Sequence, residues 1–116
     1  MMPDSQRLKA TVAHVDKLLH ARRYLELEEF SGGVRLKAEH IEAAIREYPE
    51  ELAPRPDYDV EDMSVVYVRG SVPPAWSVYL HLWRAAGGRS DLTAELTLKA
   101  TRSGFYAVEI DDIRVL

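Results

Sequence analysis

The sequence predicts an α+β domain in which three helices precede, and then cover, a four-stranded antiparallel sheet. Apolar residues recur at helical spacing in the first half of the chain. From about residue 62 onward they instead alternate with polar residues, as they do in half-buried strands. Short turns separate the last three predicted strands, which favours a meander of antiparallel neighbours.

Three helices are predicted before residue 49. Apolar spacing predicts the first over about Asp4 to His20, with Asp4 or Ser5 available as its N-cap. The segment YLELEEF is long enough for a short second helix, which the breaker SGG ends. The third helix is predicted in KAEHIEAAIREYP, where Pro49 marks its end.

Four strands are predicted after a connection, residues 49–62, that is rich in proline and acidic residues. The segments MSVVYVRG, WSVYLHLW, DLTAELTLKA and FYAVEIDDIRVL each have the β-branched, aromatic or alternating pattern of a strand. In the last of them, Asp111 and Asp112 are predicted to form a bulge that returns Ile113 and Val115 to the core side.

The alternation assigns each side chain to one face of the sheet. The second and third strands are predicted to turn an apolar set toward the helices: Trp76, Val78, Leu80, Leu82, Leu92, Ala94, Leu96 and Leu98. On the last strand, Tyr106 is predicted to face inward. The outward set is mixed polar and aromatic: Ser77, Tyr79, His81, Trp83, Thr93, Glu95, Thr97, Lys99, Phe105, Ala107, Glu109 and Asp111.

Length and composition limit the function classes. A chain of 116 residues is expected to form one domain, 1–116, with a real core. A net charge of -4 argues against nucleic-acid binding, which needs a basic face. The absence of cysteine excludes disulfides, thiol catalysis and thiolate metal sites. The first twenty residues carry scattered charges, so neither a signal peptide nor a membrane span is predicted, and a cytoplasmic location is expected by default.

The order of elements, with RRYLELEEF after the first helix and VEIDDIRVL at the end, resembles the nuclear-transport-factor-2-like (cystatin-like cone) superfamily. The segments PPAWSVYLHLW, GRSDLTAELTL and EIDDIRVL further resemble a family of small, uncharacterised bacterial proteins. The resemblance implies a cone-like domain whose sheet curves around the helices, and relatives of this cone often dimerise through the sheet. The superfamily includes isomerases, cyclases, epoxide hydrolases, transport adaptors and toxin-immunity proteins, so it selects no activity. The Asp/Tyr and Asp/Arg catalytic sets of its enzymes have no residue-by-residue match here.

The outward face of the sheet contains the candidate interface residues: Tyr79, His81, Trp83, Glu95, Phe105, Glu109 and Asp111. Counting from the turns places His81 opposite Thr93 or Glu95. The same count places Glu95 opposite Glu109 or Asp111, and directly opposed like charges in a sheet are unfavourable. An acidic pair beside aromatic rings would suit a basic protein partner.

Two other interpretations of this face stay open. A second copy of the chain could cover it, so that the aromatic rings are buried in a homodimer. Alternatively, Lys99, Arg69 and Arg114 neutralise the acidic groups and the rings are simply exposed. Contiguous aromatic patches are less common on surfaces than single exposed rings, which favours an interface.

An interior pocket is the third candidate site. The polar groups able to reach one are those of Tyr48, Tyr67 and Tyr106, and that of Asp112 if the bulge is absent. The apolar inward set predicts a filled interior instead, and no catalytic residue is assigned. Asp16 and His20 can share one helix face, but without further ligands they are predicted to be a solvated ion pair, and neither a metal nor a cofactor is expected.

The leading functional hypothesis is a non-enzymatic protein-binding module that uses the outer sheet face. A bacterial immunity-type protein is one concrete version of it. The alternatives are a small-molecule-binding protein or acid/base enzyme that uses an interior cone pocket, and a homodimeric accessory domain. The expected partner is a second copy of the chain or another protein, with no nucleic acid and no membrane.

Overall fold

The computed structural model describes all 116 residues, and it confirms the α+β class with the helices at the N-terminal end. The helices are α1 (Ser5–His20), α2 (Tyr24–Phe30) and α3 (Ala38–Glu47). The strands are β1 (Leu52–Ala53), β2 (Ser64–Tyr67), β3 (Ala75–Arg84), β4 (Arg89–Lys99) and β5 (Ala107–Val115), all antiparallel to their neighbours. None of the helices combines the length and the apolar character needed to cross a membrane.

Local chemistry sets the ends of α1. The Asp4 side chain accepts hydrogen bonds from the backbone N–H groups of Gln6 and Arg7, at 3.0 and 3.1 Å, and so caps the first turn as predicted. At the other end, Arg22 takes the left-handed conformation (φ 58°) that usually selects glycine. The N–H of Arg23 then donates to the carbonyl of Leu18, which closes the helix.

The predicted four-stranded meander is confirmed in strands β2 to β5, but the sheet has a fifth strand. The order across the sheet is β1-β3-β4-β5, and β2 pairs with the same edge of β3 as β1 does. Strand β1 lies inside the stretch 49–62 that was predicted to be only a connection, which also contains a 3₁₀ turn at Val60–Asp62. Two residues are too few to show an alternating pattern, so the sequence carried no signal for this strand.

The inner face of the sheet is packed against the helices. All eight residues predicted to face inward on β3 and β4 are 3% exposed or less. They form one cluster with apolar residues of the helices, among them Leu8, Val12, Val15 and Leu27. The prediction that this face forms the core is confirmed.

The predicted bulge in β5 is also confirmed. Glu95 pairs with Asp112 while the next residue, Leu96, pairs with Ile110, so Asp111 is the extra residue. The extra residue lets Ile110 and Ile113 both be buried although they are three positions apart. Val115 also lies on the core side, opposite Leu92, but it lines an open cleft between α3 and β5 and is 55% exposed, because no further element covers it.

Candidate functional site

The outer face of the sheet has no helix against it and carries half-buried aromatic side chains. Tyr79, His81 and Trp83 project from β3 and are partly exposed. Beside them on β2, Val66 pairs with Ser77 and is 58% exposed. The face therefore presents apolar area to solvent.

The register across the middle of the face is one of the two predicted. His81 lies opposite Thr93, and its Nδ1 is 2.8 Å from the threonine hydroxyl. Thr93 was predicted to face outward and is nevertheless fully buried, because its cross-strand neighbours His81 and Arg114 flank it. Tyr79 lies opposite Glu95.

The acidic residues pair differently from the prediction. Glu95 faces Asp112, not Glu109 or Asp111, because the bulge shifts the register by one residue. Arg114 relieves the opposition of like charges: its Nε donates to Glu95 at 2.7 Å and lies 3.8 Å from Asp112. The two carboxylates are therefore bridged by one guanidinium.

The remaining carboxylates of this face also have cations beside them. Lys99 lies 3.0 Å from Glu109, and Arg35, from the loop before α3, lies 3.0 Å from Asp111. Asp111 in addition accepts a hydrogen bond from the Thr97 hydroxyl at 2.6 Å. The outer face is consequently balanced in charge and offers no free acidic pair for a basic partner.

Phe105 was predicted to belong to the outer face, and the structure places it elsewhere. Its ring stacks on His14 of α1 with centroids 4.8 Å apart and meets Phe30 of α2 edge-on at 5.6 Å. The strand begins only at residue 107, and Arg7 draws the preceding loop toward α1 by donating to the carbonyl of Gly104 at 2.9 Å. Phe105 therefore covers the helical layer.

The four candidates for an interior pocket do not meet in one pocket but fall into two pairs. The Tyr48 hydroxyl donates to Asp91 at 2.5 Å near the surface, and this hydrogen bond raises the pKa of the tyrosine hydroxyl. Tyr67 packs beside Trp76, and the buried Tyr106 accepts from the N–H of Asp4 at 2.8 Å through its hydroxyl. Asp112 stands half exposed beside Arg114. Tyr48 and Asp112 line the same open cleft between α3 and β5, whereas Tyr67 and Tyr106 both pack on Trp76.

A buried arginine at the edge of the outer face had no sequence signal. Arg55, in the stretch between β1 and the 3₁₀ turn, is only 6% exposed. Its Nη1 donates to the carbonyl of His81 at 2.7 Å, and its guanidinium lies 5.1 Å from the centre of the Trp83 ring. Burial, followed by the positive charges of Arg89 and Arg55, lowers the pKa of His81.

The group of Arg55, His81 and Trp83 is one polar centre, and Asp16 and His20 form a second one. The prediction that Asp16 and His20 are a solvated pair is wrong. The Asp16 side chain has 0% exposure and lies 3.1 Å from Nε2 of His20. It also accepts from the Tyr58 hydroxyl at 2.6 Å and from the backbone N–H of Arg55 at 3.0 Å. The connection 49–62, which contributes these two donors, folds over the end of α1 and excludes water. No third histidine, aspartate or glutamate joins the pair in metal-binding geometry.

Hydrogen bonding decides the charge of this centre. Burial alone would raise the pKa of Asp16, but hydrogen bonds from His20, Tyr58 and Arg55 outweigh it and leave the pKa below its usual value. Burial and the bond to this carboxylate raise the pKa of the Tyr58 hydroxyl, so it remains a donor. Asp16 is therefore an ionised, fully hydrogen-bonded carboxylate inside the protein.

Comparison with known proteins places the chain in a family. A family model described as "Domain of unknown function (DUF7668)" matches residues 16–116. The chain belongs to this family. The matched range begins at Asp16 and contains both polar centres and the whole sheet. Neither the curated proteins nor the solved structures yield a significant match.

Proposed function

We propose that the chain is a non-enzymatic protein-binding domain and that the outer sheet face is its binding surface. The observation that carries the proposal is the contrast between the two faces of one sheet. The inner face is filled by the helices, whereas the outer face leaves Tyr79, Trp83 and Val66 partly exposed without a covering layer. Rigid strands present these side chains in fixed positions, which lowers the entropic cost of binding.

The partner we favour is a second copy of the chain. Because the carboxylates of the face are matched by Arg114, Lys99 and Arg35, two copies can approach face to face without net repulsion. The three long strands β3, β4 and β5, of about ten residues each and about 4.8 Å apart, offer roughly 500 Å² per partner. Two such faces bury roughly 1,000 Å², the low end for a specific interface, so the dimer is expected to be weak.

The solution mass tests this proposal. Light scattering behind a sizing column, over a hundredfold range of concentration, is expected to show a monomer that converts to a dimer as concentration rises. Val66→Asp places a charge on the face and is expected to abolish the dimer. Val72→Asp is the matched control, because Val72 is 94% exposed in the loop between β2 and β3 and lies off the face.

A wild-type chain that stays monomeric throughout would overturn self-association. The face would then be assigned to a foreign protein, as in an immunity-type protein, and the same Val66→Asp variant would be the one to compare in binding assays. An interior pocket for a small molecule or acid/base reaction finds less support, since apolar side chains occupy the inner face. We place this activity in the cytoplasm, which suits a chain without cysteine.

A further inference from the structure

The imidazole of His20 is held with one nitrogen engaged and the other free. Nε2 lies 3.1 Å from the ionised Asp16 carboxylate, which can only accept a hydrogen bond. In the neutral ring Nε2 therefore carries the hydrogen and Nδ1 is a bare acceptor. Nδ1 makes no hydrogen bond within the protein, although the ring is only 12% exposed.

Two surface clefts meet at this ring. Their volumes are about 470 and 480 Å³, within the range of small-molecule sites. Both are lined by His20, Glu51 and Leu52. The first extends toward α3, where Leu19 and Ile45 provide apolar area among charged lining residues.

Glu51 supplies an unpaired negative charge at the same place. Its backbone carbonyl accepts from the N–H of Ala85 at 2.9 Å, which fixes the residue beside β1, while its carboxylate has neither an ion pair nor a hydrogen bond. The other two carboxylates in the first cleft, Glu42 and Glu50, each have an arginine partner, at 3.8 and 3.7 Å. Glu51 is thus the free acceptor that both clefts share.

We propose that the shared part of these clefts binds a small organic ammonium ion. The ammonium group donates one hydrogen bond to Nδ1 of His20 and lies against the carboxylate of Glu51, and its apolar group packs on Leu19 and Leu52. A bare imidazole nitrogen and a free carboxylate are both acceptors, so they select a donor cation over an anion or a neutral acceptor. The exposed side chains of Lys17 and Arg22, one in each cleft, have room to extend into solvent.

Benzylamine is the probe, with benzyl alcohol and phenylacetate as matched compounds that share its ring. At about pH 8 the amine is cationic and histidine side chains are ordinarily neutral. We expect benzylamine to shift the backbone amide resonances of Leu52 and Ala21 in a saturable way. Benzyl alcohol is expected to bind at least about tenfold more weakly, and phenylacetate not at all.

Three variants assign the effect to the two acceptors. His20→Gln retains an N–H donor for Asp16 but lacks Nδ1, and Glu51→Gln removes the charge while keeping the shape. Each is expected to weaken benzylamine binding by at least about fivefold. Glu29→Gln is the control: it changes the net charge as Glu51→Gln does, but at a position on α2 outside both clefts. It is expected to bind benzylamine as tightly as the wild type does.

Several results would overturn this proposal. One is the absence of a saturable shift with benzylamine, and another is equal or tighter binding of benzyl alcohol or phenylacetate. Unchanged affinity in both His20→Gln and Glu51→Gln would overturn it as well. None of these results depends on the oligomeric state, so the outcome is independent of the function proposed for the sheet face.

Discussion

Arg55 closes a gap in the edge of the sheet by donating from Nη1 to the carbonyl of His81 at 2.7 Å. On this edge of β3, β2 covers the first half and β1 covers the end, which leaves residues 80–82 without a strand partner. The same arginine gives its backbone N–H to Asp16 and lies over the ring of Trp83. One residue thereby joins the buried carboxylate of α1 to the aromatic part of the outer face.

Replacing Arg55 with lysine is expected to destabilise the domain by about 1–3 kcal/mol. A lysine keeps the charge but cannot donate to the carbonyls of both His81 and Asp57 while its charged group lies over the Trp83 ring, as the guanidinium does. Urea unfolding of the variant and the wild type measures the difference. Arg102→Lys, at an exposed loop position, is the control and is expected to change stability by less than about 0.5 kcal/mol. Equal stability of the two variants would show that the guanidinium contacts contribute nothing.

Asp16 is expected to make stability depend on pH in the acid range. Because its folded-state pKa is lowered, the unfolded chain binds the proton more tightly, so stability falls as the pH drops through and below 3.8, the ordinary value. Asp16→Asn should lower the free energy of unfolding by about 2 kcal/mol or more at neutral pH, and by progressively less toward pH 3.

The comparison uses urea unfolding at several pH values. Asp62→Asn removes an exposed aspartate, and its free energy of unfolding should follow that of the wild type across the pH range. If the difference in free energy of unfolding between Asp16→Asn and the wild type stays constant with pH, then Asp16 is not the cause of the loss of stability in the acid range.

The elements that the sequence predicted well are those with a strong period. The alternation in β3 and β4 predicted both faces, and the distance from the turns limited the partner of His81 to two residues, of which Thr93 is the one observed. The bulge at Asp111 could be predicted because Ile110 and Ile113 are both apolar at a spacing that a regular strand cannot bury.

The features that the sequence did not predict depend on contacts between distant segments. Nothing in the stretch 49–62 indicates that Arg55 and Tyr58 will meet Asp16, about forty residues earlier, so this pair was expected in solvent. The position of Phe105 depends likewise on the interaction of Arg7 with the loop at Gly104. Periodicity reports which face of an element is apolar, but not which remote group covers a polar residue.

His81 is expected to titrate below the ordinary histidine value of 6.5, because burial and then the positive charges of Arg89 and Arg55 lower its pKa. The unfolded chain then binds the proton more readily, so the contribution of His81 to stability is present above pH 6.5 and declines as the pH falls below it. An NMR titration of the ring Hε1 resonance measures the midpoint. Arg89→Gln should raise this midpoint, whereas Arg102→Gln, which does not act on His81, should leave it in place.

The bulge in β5 provides a prediction about deletions. Removing Asp111 leaves Ile110, Asp112 and Ile113 in regular alternation, so the paired register on both sides of the bulge survives. The expected cost is about 1–2 kcal/mol, from the lost hydrogen bond of Thr97 and the lost ion pair of Arg35.

Removing Glu109 instead is expected to prevent folding. The bulge can absorb that deletion only if Ile110 moves to the outer face and Asp111 to the inner one, which exposes an apolar side chain and buries a carboxylate in the core. Circular dichroism and urea unfolding of the two deletion variants test the difference. If both variants fold with similar stability, or if the Asp111 deletion alone fails, then the extra residue does not serve to bring both isoleucines into the core.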